Sequence, residues 1–358
     1  MLKWIEIDKN IISNNIKVIK SRLNKKTKLM AVVKANAYGH GIAEVSQIAE
    51  KSGCDMLGVL TIDEAREIKR SGISLPVMIL APCIKEEILK ESNSNSNFVF
   101  TIDNIEDLLY LDKKNKKINF NLDIDTGLKR WGINIKDFDL YLKDIRKLKN
   151  LNFYSISTHI AYTPYKNKTD AWLKLNIFKS LSVKAKKEFP DLIAHCANSL
   201  VLCDFQEFQL DMVRIGNLIY GIYPSYIYKV KQKNIFITKI KRPWKFFAKI
   251  ISVKKARKGE SFGYAGEIVA NRDMRIATIA VGYSDGLTME PQDNVYKISE
   301  GVRYWAMIGD KKAPFVSKSS ISTTLLDITD IPQAKVGTNV SLAIRRTAAN
   351  YKIPRIYK

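Results

Sequence analysis

The chain has 358 residues, of which 46% are hydrophobic and 27% are charged, a balance that allows a buried core and argues against a disordered chain. No run of about 18 apolar residues occurs, so we expect no membrane span and no membrane partner. The first residues lack the apolar stretch of a signal peptide, so we expect a cytoplasmic protein. The four cysteines have no paired spacing, so we expect free thiols and no metal site; they are Cys54, Cys83, Cys196 and Cys203.

The formal net charge is +23, and lysines are scattered along the whole length. Such a charge is typical either of a protein that binds nucleic acid or of a lysine-rich protein with solvated surfaces. The densest basic stretch, from Tyr226 to Gly259, contains no acidic residue, but it lacks the interleaved aromatic residues of a single-strand-binding surface. We therefore expect no nucleic-acid partner, and a positive field that attracts anionic substrates or cofactors.

Short apolar segments alternate with amphipathic helical segments between residues 28 and 236. Eight apolar segments have the character of strands, in chain order KLMAVV, DMLGVL, PVMIL, FVFTI, INFNLDI, FYSISTHI, LIAHCAN and FQLDMVRIG. Helical segments separate most of them, such as AEVSQIAEK, IDEAREIKRSG, KEEILKES, NIEDLLYLDKK and AWLKLNIFKSLSVKAKKEF. Eight strand–helix units predict an α/β fold with a parallel (β/α)8 barrel, and an open doubly wound sheet is the alternative.

After residue 236 the long helical periods stop. Short strand segments with Gly, Asp and Pro turns follow, namely FAKIISVKKA, MRIATIAVGY, VRYWAMIG, KAPFVS, STTLLDIT and TNVSLAIRR. The sequence therefore predicts two domains, a (β/α)8 barrel over residues 1–236 and a mostly β C-terminal domain over residues 237–358.

A lysine ends the first predicted barrel strand in the string AVVKANAYGHG. The carboxyl ends of the strands face the active site in a (β/α)8 barrel, so we expect Lys34 to lie there. A lysine flanked by apolar chain loses its proton more easily and can attack an aldehyde. A single lysine after a strand is more often a plain surface residue, so its position alone assigns no role.

The string KANAYGHG, which contains Lys34, resembles the pyridoxal-phosphate signature of the alanine racemase family. Further segments resemble other blocks of that family in the same order, namely DTGLKRWGI (125–133), HCANS (195–199), VRIGNLIYG (213–221), GYAG (263–266), VGYSDG (281–286) and YKIPRIY (351–357). The resemblance implies a barrel followed by a β domain. It also implies interconversion of L- and D-alanine with pyridoxal 5′-phosphate, and a supply of D-alanine for peptidoglycan precursors.

The resemblance further implies how the cofactor is held. Lys34 would carry it as a Schiff base and would act as the base on one face of the substrate α-carbon. Arg214 would face the ring nitrogen, and because arginine keeps its proton the ring would be a weaker electron sink, which favours simple return of a proton. The phosphate would be bound by the side chains of Tyr38, Ser199 and Tyr351 and by the backbone amides of Ile215 and Gly216.

A second base is implied on the opposite face of the α-carbon. Tyr264 would fill this role, and His159 would contact the cofactor and donate or accept a hydrogen bond with that tyrosine. In the family this tyrosine comes from the partner subunit, so the resemblance implies a homodimer with shared active sites. Arg130 would bind the substrate carboxylate, together with the backbone amide of Ile321. Many relatives have a carbamylated lysine seven residues before this arginine, whereas Asp123 supplies a carboxylate directly here.

The sequence departs from the family pattern in the β domain. Ser322 stands where the family usually has an aspartate, which removes a negative group near the substrate. The stretch after VGYSDG is longer than expected and lacks the usual Pro-Arg pair, and the chain before Tyr351 is shortened. These differences leave two alternatives open: a racemase of another or of several amino acids, and a non-catalytic regulatory protein that binds pyridoxal phosphate.

Overall fold

The computed structural model describes residues 1–92, 97–225, 235–266, 268–287, 305–344 and 346–358. These residues form two compact units. We call the first the barrel unit, which contains Asn10–Ala37 and Gly41–Arg242. We call the second the β unit, which contains Met1–Lys9, Tyr38–His40 and Pro243–Lys358.

Eight parallel strands form the main sheet of the barrel unit, each paired with its neighbours in chain order. They are Lys28–Val32, Met56–Val59, Val77–Pro82, Phe98–Thr101, Ile118–Asp125, Leu151–Ser157, Ile193–His195 and Met212–Ile215. The eighth strand pairs with the first, from Met212 opposite Lys28 to Ile215 opposite Ala31. The seventh meets the eighth through a bridge that follows its last residue, so the barrel is nearly closed. The predicted (β/α)8 barrel is confirmed, and the open doubly wound sheet is wrong.

Helices follow most of the barrel strands. Their bounds are Lys9–Lys20, Ile42–Lys51, Ile62–Arg70, Lys85–Ser92, Ile105–Asp112, Phe138–Ile145, Lys168–Lys186, Ser199–Asp204 and Ile235–Thr238. In the part of the chain that the structure describes, none of the helices is both long and apolar enough to cross a membrane.

The helix Ile62–Arg70 illustrates why these segments fold as they do. The Thr61 hydroxyl accepts a hydrogen bond from the Glu64 N–H at 3.3 Å, and the Glu64 carboxylate accepts one from the Thr61 N–H at 3.3 Å. This capping box satisfies two backbone donors that the first helical turn leaves open. Apolar residues from Ile62 to Ile68 recur at helical spacing on the buried face, which packs the helix on the sheet.

The β unit contains ten strands, among the residues that the structure describes. They are Lys3–Ile7, Trp244–Ala256, Ser261–Phe262, Ile268–Val269, Met274–Ile279, Trp305–Ile308, Lys311–Pro314, Thr324–Asp327, Asn339–Leu342 and Arg355–Tyr357. The long strand Trp244–Ala256 is central, because its two edges pair antiparallel with Lys3–Ile7, Asn339–Leu342 and Met274–Ile279. The mostly β character predicted after residue 236 is confirmed. Residues 288–304, which include the long stretch after VGYSDG, lie outside the described residues.

The amino terminus differs from the predicted division into residues 1–236 and 237–358. The strand Lys3–Ile7 pairs with Trp244–Ala256 and, in parallel, with Arg355–Tyr357. A strand needs backbone hydrogen-bonding partners on its edges, and this one finds them in the β unit. Met1–Lys9 therefore pack with the β unit rather than with the barrel.

Candidate active site

Lys34 lies two residues beyond the first barrel strand, Lys28–Val32, and starts a left-handed turn. The φ angles of the next four residues, 35 to 38, are 53°, 52°, 51° and 56°. Left-handed backbone costs about 1–2 kcal/mol for each L-residue, so it persists only where surrounding contacts impose it. One such contact is made by Asn36, which accepts hydrogen bonds from the Gly41 N–H on its carbonyl at 3.0 Å and from the Ile42 N–H on its side chain at 2.8 Å.

Glu64 anchors the same turn, and the sequence analysis missed it. Its carboxylate accepts a hydrogen bond from the Ala35 N–H at 2.5 Å and another from the Leu60 N–H at 2.9 Å. The Thr61–Glu64 spacing signals a helix cap. Nothing local in the sequence indicates that the same carboxylate reaches residue 35, because that contact joins two neighbouring strand ends.

The Lys34 amine is half-buried and has no hydrogen bond or ion pair with the residues that the structure describes. Burial lowers its pKa, the nearby Arg130 charge lowers it further, and Glu64 raises it. Desolvation and a neighbouring cation both disfavour the ammonium form. The site therefore favours the neutral amine, which is the form that attacks a carbonyl carbon.

Arg214 lies on the last barrel strand and is 7% exposed. Its guanidinium donates to the His195 carbonyl at 2.7 Å, to the His195 ring Nδ1 at 2.5 Å and to the Thr158 carbonyl at 2.6 Å. Arginine has no acceptor, so His195 Nδ1 must be the acceptor and the His195 ring is neutral. Burial also lowers the His195 pKa well below its usual value, and the Arg214 charge acts in the same direction. These contacts fix the plane of the guanidinium.

His159 follows the sixth barrel strand, Leu151–Ser157. Burial lowers its pKa to about 3, and the charges of Arg214, Arg130 and Lys34 add to this effect. The imidazole is therefore neutral at physiological pH, with one ring nitrogen as donor and the other as acceptor. The three cations that depress its pKa are the predicted cofactor and substrate residues, which places His159 among them.

Asp123 is a buried carboxyl on the fifth barrel strand. Its Oδ1 accepts a hydrogen bond from the Ser157 hydroxyl at 2.5 Å, and Ser157 in turn accepts one from the Asn121 side chain at 2.9 Å. Burial raises the Asp123 pKa to about 6, whereas Ser157, Arg214, Arg130 and Trp131 all act to lower it. The barrel therefore holds a carboxyl that titrates near neutral pH beside two arginines.

Arg130 lies in the loop after Asp123 and is exposed. Its guanidinium carbon lies 3.7 Å from the centre of the Trp131 ring, a stacked cation–π contact. No ion pair within 4.0 Å joins Arg130 to Asp123 among the described residues, so the two charges interact across a gap. The arginine is held by stacking and by the field of the carboxylate, and its donors point to no internal acceptor.

The proposed phosphate residues of the barrel lie after its seventh and eighth strands. Ser199 begins the helix Ser199–Asp204, which Asn198 caps by accepting hydrogen bonds from the N–H groups of residues 200 and 201. The Ser199 hydroxyl has no partner in the described part of the chain. Ile215 ends the eighth strand, and Gly216 begins a 3-10 turn whose first N–H groups have no partner within the turn.

Four predicted site residues belong to the β unit. Tyr38 ends the left-handed turn, and burial raises its pKa. Tyr264 opens the 3-10 turn that joins strands Ser261–Phe262 and Ile268–Val269, and it is 65% exposed. Tyr351 is 75% exposed, and Ile321 is 57% exposed in a turn whose carbonyl accepts from the Ser284 N–H at 3.0 Å.

The barrel unit thus brings together one lysine, two arginines, a neutral histidine and a buried carboxyl. In the β unit a cavity of about 410 Å³ lies beside Tyr264. Glu64, Ser157, His195 and Trp131 are the contributors that the sequence analysis missed. Their side chains meet the site through the closed barrel, and no local sequence pattern signals that meeting.

Comparisons with known proteins agree on one family. The model for the alanine racemase N-terminal domain matches residues 7–224, and the model for the alanine racemase C-terminal domain matches residues 244–356. The alanine racemase of Methanococcus maripaludis is 31% identical over 345 residues, which cover 95% of this chain and 88% of that protein. That of Helicobacter pylori G27 is 32% identical over 351 residues, with coverages of 95% and 88%.

Solved structures give the same result for the fold. The alanine racemase of Clostridium difficile 630 superposes with a TM-score of 0.88 at 24% identity, over 100% of this chain and 96% of that one. The Bacillus anthracis alanine racemase with bound L-Ala-P superposes with a TM-score of 0.85 at 25% identity, over 99% and 95%. Because both domain models match in order and together span most of the sequence, the chain belongs to the alanine racemase family.

Proposed function

We propose that this protein is a pyridoxal-phosphate-dependent alanine racemase, which interconverts L- and D-alanine. The observation that carries the proposal is the unpaired, partly desolvated Lys34 amine at the carboxyl end of a barrel strand, with Arg214 and a neutral His159 nearby. Relatives of similar length that are about 30% identical are named alanine racemases.

The barrel residues fit pyridoxal phosphate. The Lys34 amine is free to bind an aldehyde carbon, and the Ser199 hydroxyl and the Gly216 amide offer donors for a phosphate. Arg214 is a buried cation, and it has no carboxylate within ion-pair distance among the described residues. Tyr38 and Tyr351, with the Ile215 amide, complete the proposed phosphate contacts. Bound pyridoxal phosphate supplies an aldehyde and an electron-accepting ring that acidifies the substrate α-carbon.

Two side chains would move the proton at that carbon. Lys34 Nζ takes or returns it on one face, and its lowered pKa keeps the amine ready as a base. The Tyr264 hydroxyl of the partner subunit serves the other face, with the neutral His159 as its hydrogen-bond partner. Arg214 keeps its own protons, since its guanidinium is already saturated with acceptors on the barrel, and so it does not protonate the cofactor ring.

The substrate carboxylate would be held by a charge and a backbone donor. Arg130 presents its guanidinium from the stacked position on Trp131, and Asp123 opposes drift of this cation through its negative charge. The Ile321 amide supplies a further donor. A homodimer with shared sites, a cytoplasmic location and a supply of D-alanine for peptidoglycan belong to the same proposal.

Attachment to Lys34 is tested by borohydride reduction of the yellow protein followed by peptide mapping. We expect the label on Lys34, and loss of the label in Lys34→Ala. Lys28→Ala is the matched control, because Lys28 begins the same strand and is exposed. A label on another lysine in the wild type would overturn the assignment.

Activity is tested by incubating the cofactor-loaded protein with each L-amino acid in deuterated water. We expect α-deuterium and D-isomer with L-alanine. Efficient exchange with other amino acids would favour a broader racemase, and the Ser322 substitution is the feature that motivates this alternative. No exchange with any of them would favour the non-catalytic binding protein. Tyr264→Phe should impair one direction of proton transfer and leave cofactor binding intact.

A further inference from the structure

The cavity beside Tyr264 is lined by groups that donate hydrogen bonds. Its wall includes Gly263, Tyr264, Ser317, Lys318, Ser320 and Thr323, together with Thr324 and Leu325, and its volume is about 410 Å³. The described wall contains no acidic side chain. A lined cavity with several hydroxyls and one ammonium, but no carboxylate, is complementary to a small anion.

A tight turn holds two of the hydroxyls in place. The Ser320 and Thr323 hydroxyl oxygens lie 2.7 Å apart, and the Ser320 oxygen also accepts a hydrogen bond from the Thr323 N–H at 2.9 Å. Each hydroxyl has one hydrogen to donate. When Ser320 donates to the Thr323 oxygen, the Thr323 hydrogen is left to point at a ligand. The pair is therefore a preorganised donor rather than two loose side chains.

Gly263 keeps the cavity open on the side of Tyr264. Its φ is +80°, a left-handed value that favours glycine, and an added Cβ would lie 3.0 Å from the Ser317 Cβ. A side chain here would crowd the wall at Ser317. Lys318 follows directly in the chain, so its positive charge lies at the same wall.

We propose that this cavity is a carboxylate-binding subsite, and that it takes the acidic side chain of a second class of substrates, L-aspartate or L-glutamate. The proposal rests on the proposed racemase function. Tyr264 and the cavity belong to the same turn region of one unit, so a substrate whose α-carbon is reached by Tyr264 has the cavity within reach of its side chain. Alanine, which has only a methyl group, leaves the cavity unused.

The test compares acidic amino acids with their amides, which have nearly the same shape and no charge. α-Deuterium exchange of L-glutamate against L-glutamine, and of L-aspartate against L-asparagine, is followed by NMR with the cofactor-loaded protein. We expect exchange about tenfold faster with the acid of each pair, since hydrogen bonds to a charged group are worth more than neutral ones. Lys318→Gln and Ser320→Ala should each lower this ratio severalfold. Lys335→Gln, an exposed lysine of the same unit, should leave it unchanged.

A free carboxylate is the other source of the same chemistry, so acetate binding is measured by ligand-observed NMR on the same variants. Acetate binding that Lys318→Gln weakens and Lys335→Gln does not, without exchange of acidic amino acids, would keep the subsite and overturn the substrate assignment. Equal exchange of acids and amides, with acetate binding insensitive to Lys318→Gln, would overturn the subsite. L-Alanine exchange in the same samples reports separately on the proposed function, and the acetate measurement decides the subsite even if alanine does not react.

Discussion

Asp123 is the residue on which the charge balance of the barrel site depends. It is the buried carboxyl beside Arg130 and Arg214, and burial raises its pKa to about 6 although both cations and Ser157 oppose this. A carboxyl with a raised pKa gains its proton as pH falls through that value. Below about pH 6 the two arginines therefore lose their negative neighbour, and Arg130 loses the charge that opposes its drift.

We predict that kcat/KM for alanine falls on the acid side with an apparent pKa near that of Asp123. Ser157→Ala removes a hydrogen bond that stabilises the carboxylate, so the acid limb should move to higher pH by about one unit, the equivalent of about 1.4 kcal/mol. The measurement is the pH profile of kcat/KM. Ser155→Ala is the control, because the Ser155 hydroxyl bonds Asn121 and not Asp123. An acid limb that Ser157→Ala leaves in place would assign it to another group.

His159 leads to the opposite pH prediction. Its pKa is lowered to about 3, so the ring stays neutral in the folded protein down to about pH 4, whereas an unfolded chain binds a proton near 6.5. The folded state loses stability as pH falls through the range between these values, since only the unfolded state gains the proton. NMR of the imidazole should show no titration of His159 between pH 5 and 8, and urea-unfolded protein is the control. A midpoint between 6 and 7 in the folded protein would contradict the desolvated site.

At the scale of elements, the left-handed turn and the chain after it decide where Lys34 points. The turn is imposed by Asn36 and Glu64, and Gly39 follows it with a φ of +86°. An added Cβ at Gly39 would lie 2.3 Å from the carbonyl oxygen of Arg346, and the Gly39 carbonyl accepts from Arg355 Nε at 2.8 Å. Backbone thus meets backbone within the β unit at this point.

Gly39→Ala should therefore lower the free energy of unfolding by about 3 kcal/mol or more, as expected for strain combined with a steric clash. Gly72→Ala is the matched control, because Gly72 also has a positive φ, +76°, but nothing lies within 4 Å of the added Cβ. That substitution should cost only about 1 kcal/mol of backbone strain. Urea unfolding of both variants measures the difference, and equal losses would show that the contact with residue 346 is not rigid.

At the scale of the whole molecule, the proposed dimer makes a prediction that one chain alone cannot meet. If Lys34 and Tyr264 of the partner subunit form each site, Lys34→Ala and Tyr264→Phe proteins are each impaired, but a mixed dimer contains one intact site. After unfolding and refolding of an equal mixture, half of the dimers are mixed and activity should return to roughly one quarter of the wild-type value. Mixing without refolding is the control. No recovery in a sample proven to contain mixed dimers would mean that each subunit uses its own tyrosine.

The sequence by itself determined the barrel and the mostly β unit, because eight alternating apolar and amphipathic segments allow few other arrangements. It also indicated the family, since short strings such as KANAYGHG depend on local residue order. The roles of Lys34, Arg214 and Tyr264 in the site remain predictions of that resemblance.

Only the tertiary structure decided how the site is charged and held. Glu64 reaches the Lys34 turn, Ser157 meets Asp123, and Arg214 meets His195 because neighbouring barrel strands bring distant segments side by side. Burial, and with it the neutral state of His159, is likewise a property of the closed barrel. The amino-terminal strand joined the β unit for the same reason: hydrogen-bond partners and solvent exclusion are set by neighbours in space, which local sequence patterns do not specify.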